Sequence, residues 1–189
     1  FRYVSNFKDG QWDEGGLTGE ANIVLNECAG VFQYAQTIFE GLKAYYTKDG
    51  HIVCFRPDLN AERMYDSAKY LVMQPFPTDR FIEAVKEVVK ANQEFVPPYS
   101  TGGSLYLRPF LMGTNSVIGV KPADEFQFRI FGTPVGDYFK GGVKPLKIPP
   151  KQPPNKRQAS LRKRPKKLRQ RNSQHTPHRK PHRMLRRYR

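Results

Sequence analysis

Over residues 1–7 apolar and polar positions alternate weakly and then meet Asp9-Gly10, a turn pair with Trp12 just beyond it, which predicts a strand entering a hairpin. Residues 37–46 are dense in aromatic and aliphatic side chains, Lys48-Asp49-Gly50 follows, and β-branched Ile52 and Val53 stand within residues 51–55. That order predicts a second hairpin closed by an Asp-Gly turn. The period then becomes helical. With Asp58 as the expected N-cap, Leu59, Met64, Ala68 and Leu71 fall near one stripe, and Glu62, Asp66 and Lys69 take the other side, to about Val72. Pro75 and Pro77 end that helix. Thr78 is the expected cap of a second helix to about Phe95, in which Phe81, Val85, Val88, Val89 and Asn92 recur at steps of three and four before Pro97-Pro98. Residues 104–112 and 126–134 read as buried strands. Strands, two helices and strands again predict an α+β fold, an antiparallel sheet with two packed helices.

Charge divides the chain at about Pro149. Residues 1–148 hold sixteen Lys/Arg against all seventeen Asp/Glu, whereas residues 149–189 hold sixteen Lys/Arg and no acid, so the net charge of +15 belongs to the tail. The globular part, nearly neutral, gives no instruction to bind nucleic acid. Cys28 and Cys54 have no CxxC spacing, so reduced thiols in a cytoplasmic protein are expected. No apolar run approaches the roughly 20 residues of a membrane-spanning helix. The chain opens on Phe1, and upstream residues are expected to be missing.

Tyr106 and Arg108 lie two apart in "SLYLRPFLMG", on one face of the predicted strand. An arginine in such apolar company suits an anionic ligand, a carboxylate or phosphate gripped by two parallel hydrogen bonds, or else an internal ion pair with an acid such as Glu40 or simple exposure on an open sheet face. Arg63, one residue after Glu62 in a helix, reads from its position as a solvated face residue. Tyr34 and Phe39 in "YAQTIFEG" read as core aromatics, with Gly41 allowing close backbone approach. His51 stands alone, and Pro177 and Pro181 break any helix that would align His175, His178 and His182, so no metal site is expected. No glycine-rich phosphate loop is present, because "STGG" at 100–103 precedes a strand.

The blocks "FKDGQW" from Phe7, "FQYAQTIFEGLKAY" from Phe32, "FRPDLNAERM" from Phe55, "SLYLRPFLMG" from Ser104 and "TPVGDYFKGG" from Thr133 resemble, in order and spacing over residues 1–148, the N-terminal half of a branched-chain amino acid aminotransferase. This is a pyridoxal-phosphate-dependent class IV aminotransferase of the D-amino-acid-aminotransferase-like fold. The resemblance implies that residues 1–140 are its small domain and 141–148 the start of the interdomain linker. It implies pyridoxal 5'-phosphate as the cofactor of the complete enzyme, with Arg63 at its phosphate. It also implies that Tyr106 and Arg108 bind a substrate carboxylate, that Tyr34, Phe39 and Tyr138 line the aliphatic side-chain pocket, and that branched-chain amino acids and 2-oxoglutarate are the substrates. The "HY" common in the family before that first tyrosine is "QY" here. A homodimeric parent is expected, with no membrane partner. The runners-up within the fold are a D-amino-acid aminotransferase and an aminodeoxychorismate lyase.

In that family a second domain supplies the Schiff-base lysine, the acid at the pyridine nitrogen and most of the phosphate cup. After about Lys147 none of its motifs is visible, and no Gly follows Gly142. This chain is therefore expected to be an inactive fragment with no catalytic residue of its own. Residues 149–189 read either as translation in a shifted frame, the preferred reading, or as a genuine basic arm touching nucleic acid non-specifically through phosphates. Under both readings they are expected to be disordered alone.

Overall fold

In a computed structural model, residues 1–116 and 118–136 are described, all within the unit Phe1–Gly142. The expectations for Tyr138, the linker and the basic tail lie outside the described residues. The chain begins with β1 (Arg2–Lys8), β2 (Gln11–Trp12) and β3 (Gly16–Thr18). Asp9 and Gly10, both at positive φ, make the first tight turn, so β2 folds back on β1. A five-residue helix, α1 (Gly30–Tyr34), leads to β4 (Thr37–Phe39), β5 (Leu42–Tyr46) and β6 (Ile52–Cys54). The two long helices α2 (Pro57–Tyr70) and α3 (Thr78–Ala91) follow, then the ten-residue strands β7 (Ser104–Gly113) and β8 (Phe126–Val135). The described strands form one antiparallel sheet in the order β2-β1-β8-β7-β5-β6, with β3 beside β1 and β4 beside β7. The α+β expectation is met.

The expected strand over residues 37–46 is interrupted at Glu40-Gly41. Pro109 of β7 lies opposite the break, where its carbonyl accepts from the Glu40 N–H at 2.8 Å. A strand residue points its N–H and C=O to the same side, so Pro109 offers no donor toward the break, and the ladder cannot run through.

Alternation along β7 sends Leu105, Leu107 and Leu111 into the core and leaves Tyr106, Arg108 and Phe110 on the opposite, half-open face. The core side is covered by α2 through Met64 and Ala68 and by α3 through Phe81, Ala84, Val85 and Val88. Phe76, in the link between the helices, stacks on Phe128 at 3.9 Å.

The helix edges differ from expectation. Arg56, in the left-handed region, holds the N-cap position of α2 and Pro57 opens the helix, so Asp58 lies inside the first turn and pairs with Arg56. Pro77 likewise precedes α3 and leaves Thr78 as its first residue. Leu59 and Leu71 are exposed. The buried stripe of α2 is instead Asn60, Ala61, Met64 and Ala68, because Asn60 turns inward to meet Glu40.

Candidate functional site

The short segment Phe39-Glu40-Gly41 joins three of the residues singled out from sequence. Tyr34 and Phe39 are not core aromatics: Phe39 is 63% exposed and Tyr34 is exposed as well. Phe39 ends β4 on the open face, and its ring lies under the Arg108 guanidinium at 4.2 Å. Arg108 Nε also donates to Tyr106 Oη at 3.0 Å, as two residues on one strand face can. Gly41 backs directly onto that phenol: a Cβ there would lie 2.7 Å from Tyr106 Oη, so the expected close backbone approach is real. Among the described residues no carboxylate is within ion-pair distance of Arg108. Its donors are held by an aromatic face and one hydroxyl, an arrangement that leaves room for an anion.

Glu40 is taken by Arg63. Glu40 is only 7% exposed, and Arg63 donates to it along one edge, Nε to Oε1 at 2.7 Å and Nη2 to Oε2 at 2.6 Å. Asn60, three residues earlier on α2 and therefore on the same helix face, donates to Oε2 at 2.8 Å. Burial pushes the Glu40 carboxyl up, but the hydrogen bonds from Arg63 and Asn60, with the charge of Arg63, outweigh it and hold the group below its ordinary range. Arg63 itself is 62% exposed at its side chain. Its inner edge faces Glu40, and the guanidinium keeps further N–H donors beyond the two that Glu40 takes.

Tyr34, at the end of α1, lines a different cleft of about 380 Å³ with Leu71 and Val120. A cleft of about 550 Å³ between the β5–β6 hairpin and α3 contains none of the predicted residues. Glu40 and Asn60 do not stand out as site residues in the sequence. Their signal lies in the helical spacing of Asn60 and Arg63, which aims an amide and a guanidinium at one acceptor. Among the described residues no group of His, Cys, Asp and Glu is arranged to hold a metal, and no helix is long and apolar enough to cross a membrane.

No family model matches the chain. Its described fold is similar to part of a branched-chain aminotransferase from Thermoproteus uzoniensis, solved with norvaline, with a TM-score of 0.56 at 24% identity over 73% of this chain and 43% of that one. It is also similar to a T.th. branched-chain amino acid aminotransferase solved with pyridoxamine 5'-phosphate, with a TM-score of 0.52 at 26% identity over 74% of this chain and 42% of that one. These likenesses define the class, the N-terminal domain of an aminotransferase with a curled antiparallel sheet. Among curated proteins, the chain is 52% identical over 145 residues to the branched-chain-amino-acid aminotransferase of Haemophilus influenzae, covering 77% of this chain and 42% of the relative. It is 50% identical over 142 residues to the chloroplastic branched-chain-amino-acid aminotransferase 5 of Arabidopsis thaliana, covering 75% of this chain and 34% of that one. Over its matching part the chain belongs to the branched-chain-amino-acid aminotransferase family. It spans 34 to 42% of the length of these relatives.

Proposed function

We propose that residues 1–140 are the small domain of a pyridoxal-phosphate-dependent transaminase whose complete form moves the amino group of leucine, isoleucine or valine to 2-oxoglutarate. The observation that carries this reading is the pair of arginines flanking Phe39-Glu40: Arg63, its inner edge held by Glu40, and Arg108, held by two aromatic rings without a carboxylate. The outer edge of Arg63 suits a phosphate dianion, and so fits the cofactor. Bound there, the cofactor would supply an electron sink for the α-carbon of the amino acid. Arg108, with Tyr106 fixing its Nε, would orient the substrate carboxylate. Phe39 would exclude water beside it, Tyr138 is assigned to the same apolar wall, and Tyr34, which lines a separate cleft, is assigned to the substrate pocket from the family resemblance alone. A wall of this kind separates aliphatic from polar amino acids only modestly, so the carboxylate contact carries the orientation.

The chain itself is inactive in this reading, because after about Lys147 its sequence carries none of the motifs of the family's second domain, the Schiff-base lysine segment among them. A lysine serves as that nucleophile where burial holds it neutral and a packed shell aims it at the cofactor, and the acid-free sequence over residues 149–189 carries no motif for such a setting. The purified 189-residue chain should give no leucine-dependent glutamate above a no-enzyme blank. Glutamate formation would refute the inactivity. Coding DNA across the codons for Gly142 to Pro154 tests the origin of the tail: another frame that encodes a lysine followed by a Gly/Ala-Asn-Tyr segment makes residues 149–189 a frame error. A cytoplasmic, homodimeric parent belongs to the same proposal.

A further inference from the structure

Arg129 is 6% exposed, which is unusual for a cation without a carboxylate. It sits on β8 opposite Phe110 of β7 and Val4 of β1, on the sheet face away from the helices. Its two hydrogen bonds go to neutral oxygens: Nη1 donates to Gln127 Oε1 at 3.2 Å and Nη2 to the Glu20 carbonyl at 3.0 Å. A second guanidinium, that of Arg2, lines the same cavity and donates to the Gly19 carbonyl at 2.7 Å. The Glu20 carboxylate accepts from the Asn22 N–H at 2.6 Å and lies outside ion-pair distance of both arginines. Burial and the charge of Arg2 both work against the Arg129 cation, and the Glu20 carboxylate offsets them only in part from beyond ion-pair distance, so the two like charges in this partly dry space are relieved further when a negative group enters between them. The space is there: a cavity of about 250 Å³ whose remaining walls include Ile23, Phe110 and Phe131, the two rings meeting edge to face at 6.1 Å.

We propose that Arg2 and Arg129 form a binding site for a small monocarboxylate with a short aliphatic chain. The carboxylate lies between the two guanidiniums, each of which has N–H donors to spare, and the chain lies against Ile23, Phe110 and Phe131. The size argues for few atoms, since the cavity of about 250 Å³ falls below the roughly 300 Å³ where sites for larger ligands begin. The apolar walls argue for a single negative charge, because a phosphate would have oxygens left facing Phe110 and Phe131 without donors. This site does not depend on the transaminase reading.

The test is titration of the 189-residue chain with isobutyrate, and with isobutyramide as its uncharged isostere, at fixed ionic strength, followed by calorimetry and by backbone amide shifts. Isobutyrate should bind saturably, shift the amides of Ile23 and Phe131, and bind about tenfold more tightly than isobutyramide, as expected for a charge-assisted contact. Arg129→Gln should abolish binding, and because that buried change is at risk of unfolding the chain, Arg2→Gln at the cavity mouth is the companion variant. It should weaken isobutyrate about tenfold with an unchanged circular dichroism spectrum, while Arg108→Ala leaves the affinity unchanged. Equal binding of acid and amide, no saturable binding, an undiminished affinity in Arg2→Gln, or a loss seen only in Arg108→Ala would each overturn the proposal.

Discussion

Arg63 meets Glu40 along one edge of its guanidinium, so the buried carboxylate fixes the direction in which the exposed side of the arginine points. Asn60 completes the arrangement from the same helix face. Glu40→Gln should therefore release Arg63 at modest cost to the fold. The arginine is mostly exposed, so solvent screening reduces the worth of the pair, and a loss of about 1 kcal/mol is expected in urea unfolding of the chain. A loss several times larger would mean that Glu40 serves the core and not the arginine.

The same pair sets an acid limit. Glu40 has a folded pKa below its ordinary 4.5, where burial raises it but Arg63 and Asn60 prevail. Asp13 is likewise held below its ordinary 3.8, where burial is outweighed by hydrogen bonds from Asn6 and Ser5. Both groups are depressed in the folded state, so their stabilisation is fully present above the unfolded values and is lost as pH falls through the folded ones. Stability from these two should be flat above about pH 5 and decline below about pH 4.5, and Glu40→Gln should remove part of that slope in denaturant midpoints measured against pH. An unchanged slope would show that Glu40 is not tied to Arg63 in solution.

The elements with a long, clean period are legible in the sequence: α3 with Phe81, Val85 and Val88 inward, β7, β8 and the Asp-Gly hairpin. Tyr106 and Arg108 sharing a face also follows from alternation. What the sequence hides has a local cause in each case. The apolar run over residues 37–46 conceals a break, because composition does not reveal that Pro109, far along the chain, withdraws the donor opposite Glu40. Phe39 and Tyr34 read as inward because large aromatics usually are, yet both stand on open surface. Glu40 is a plausible partner for Arg108 from sequence and belongs to Arg63, a choice made by tertiary packing of α2 against the β4–β5 break.

In a restored full-length enzyme Arg63 and Arg108 should fail differently. Arg63→Ala should weaken cofactor retention by roughly ten- to a hundred-and-fifty-fold, the worth of an ionic hydrogen-bonded contact of about 1.5–3 kcal/mol. Arg108→Ala should leave the cofactor bound and raise the apparent KM for the amino acid or for 2-oxoglutarate. Absorbance of bound cofactor separates the two. Cofactor loss in Arg108→Ala with retention in Arg63→Ala reverses the assignment, and no change in either refutes both roles.

Gly41→Ala tests the contact that aims Arg108. Gly41 has no unusual φ, so the backbone tolerates alanine, and the only obstacle is the new methyl meeting the tip of the Tyr106 ring. Overpacking costs about 1–3 kcal/mol in a closed core, and the lower end is expected here because the ring lies on a half-open face and can tilt away. Tilting moves the phenol that accepts from Arg108 Nε, so the fold should survive while the Tyr106 ring protons and the Arg108 Nε–H shift together in NMR spectra of the chain. In the complete enzyme the same variant should raise KM for the substrate carboxylate without loss of cofactor, a weaker copy of Arg108→Ala. Unmoved Tyr106 and Arg108 signals would mean that the Gly41 contact does not position Arg108 in solution.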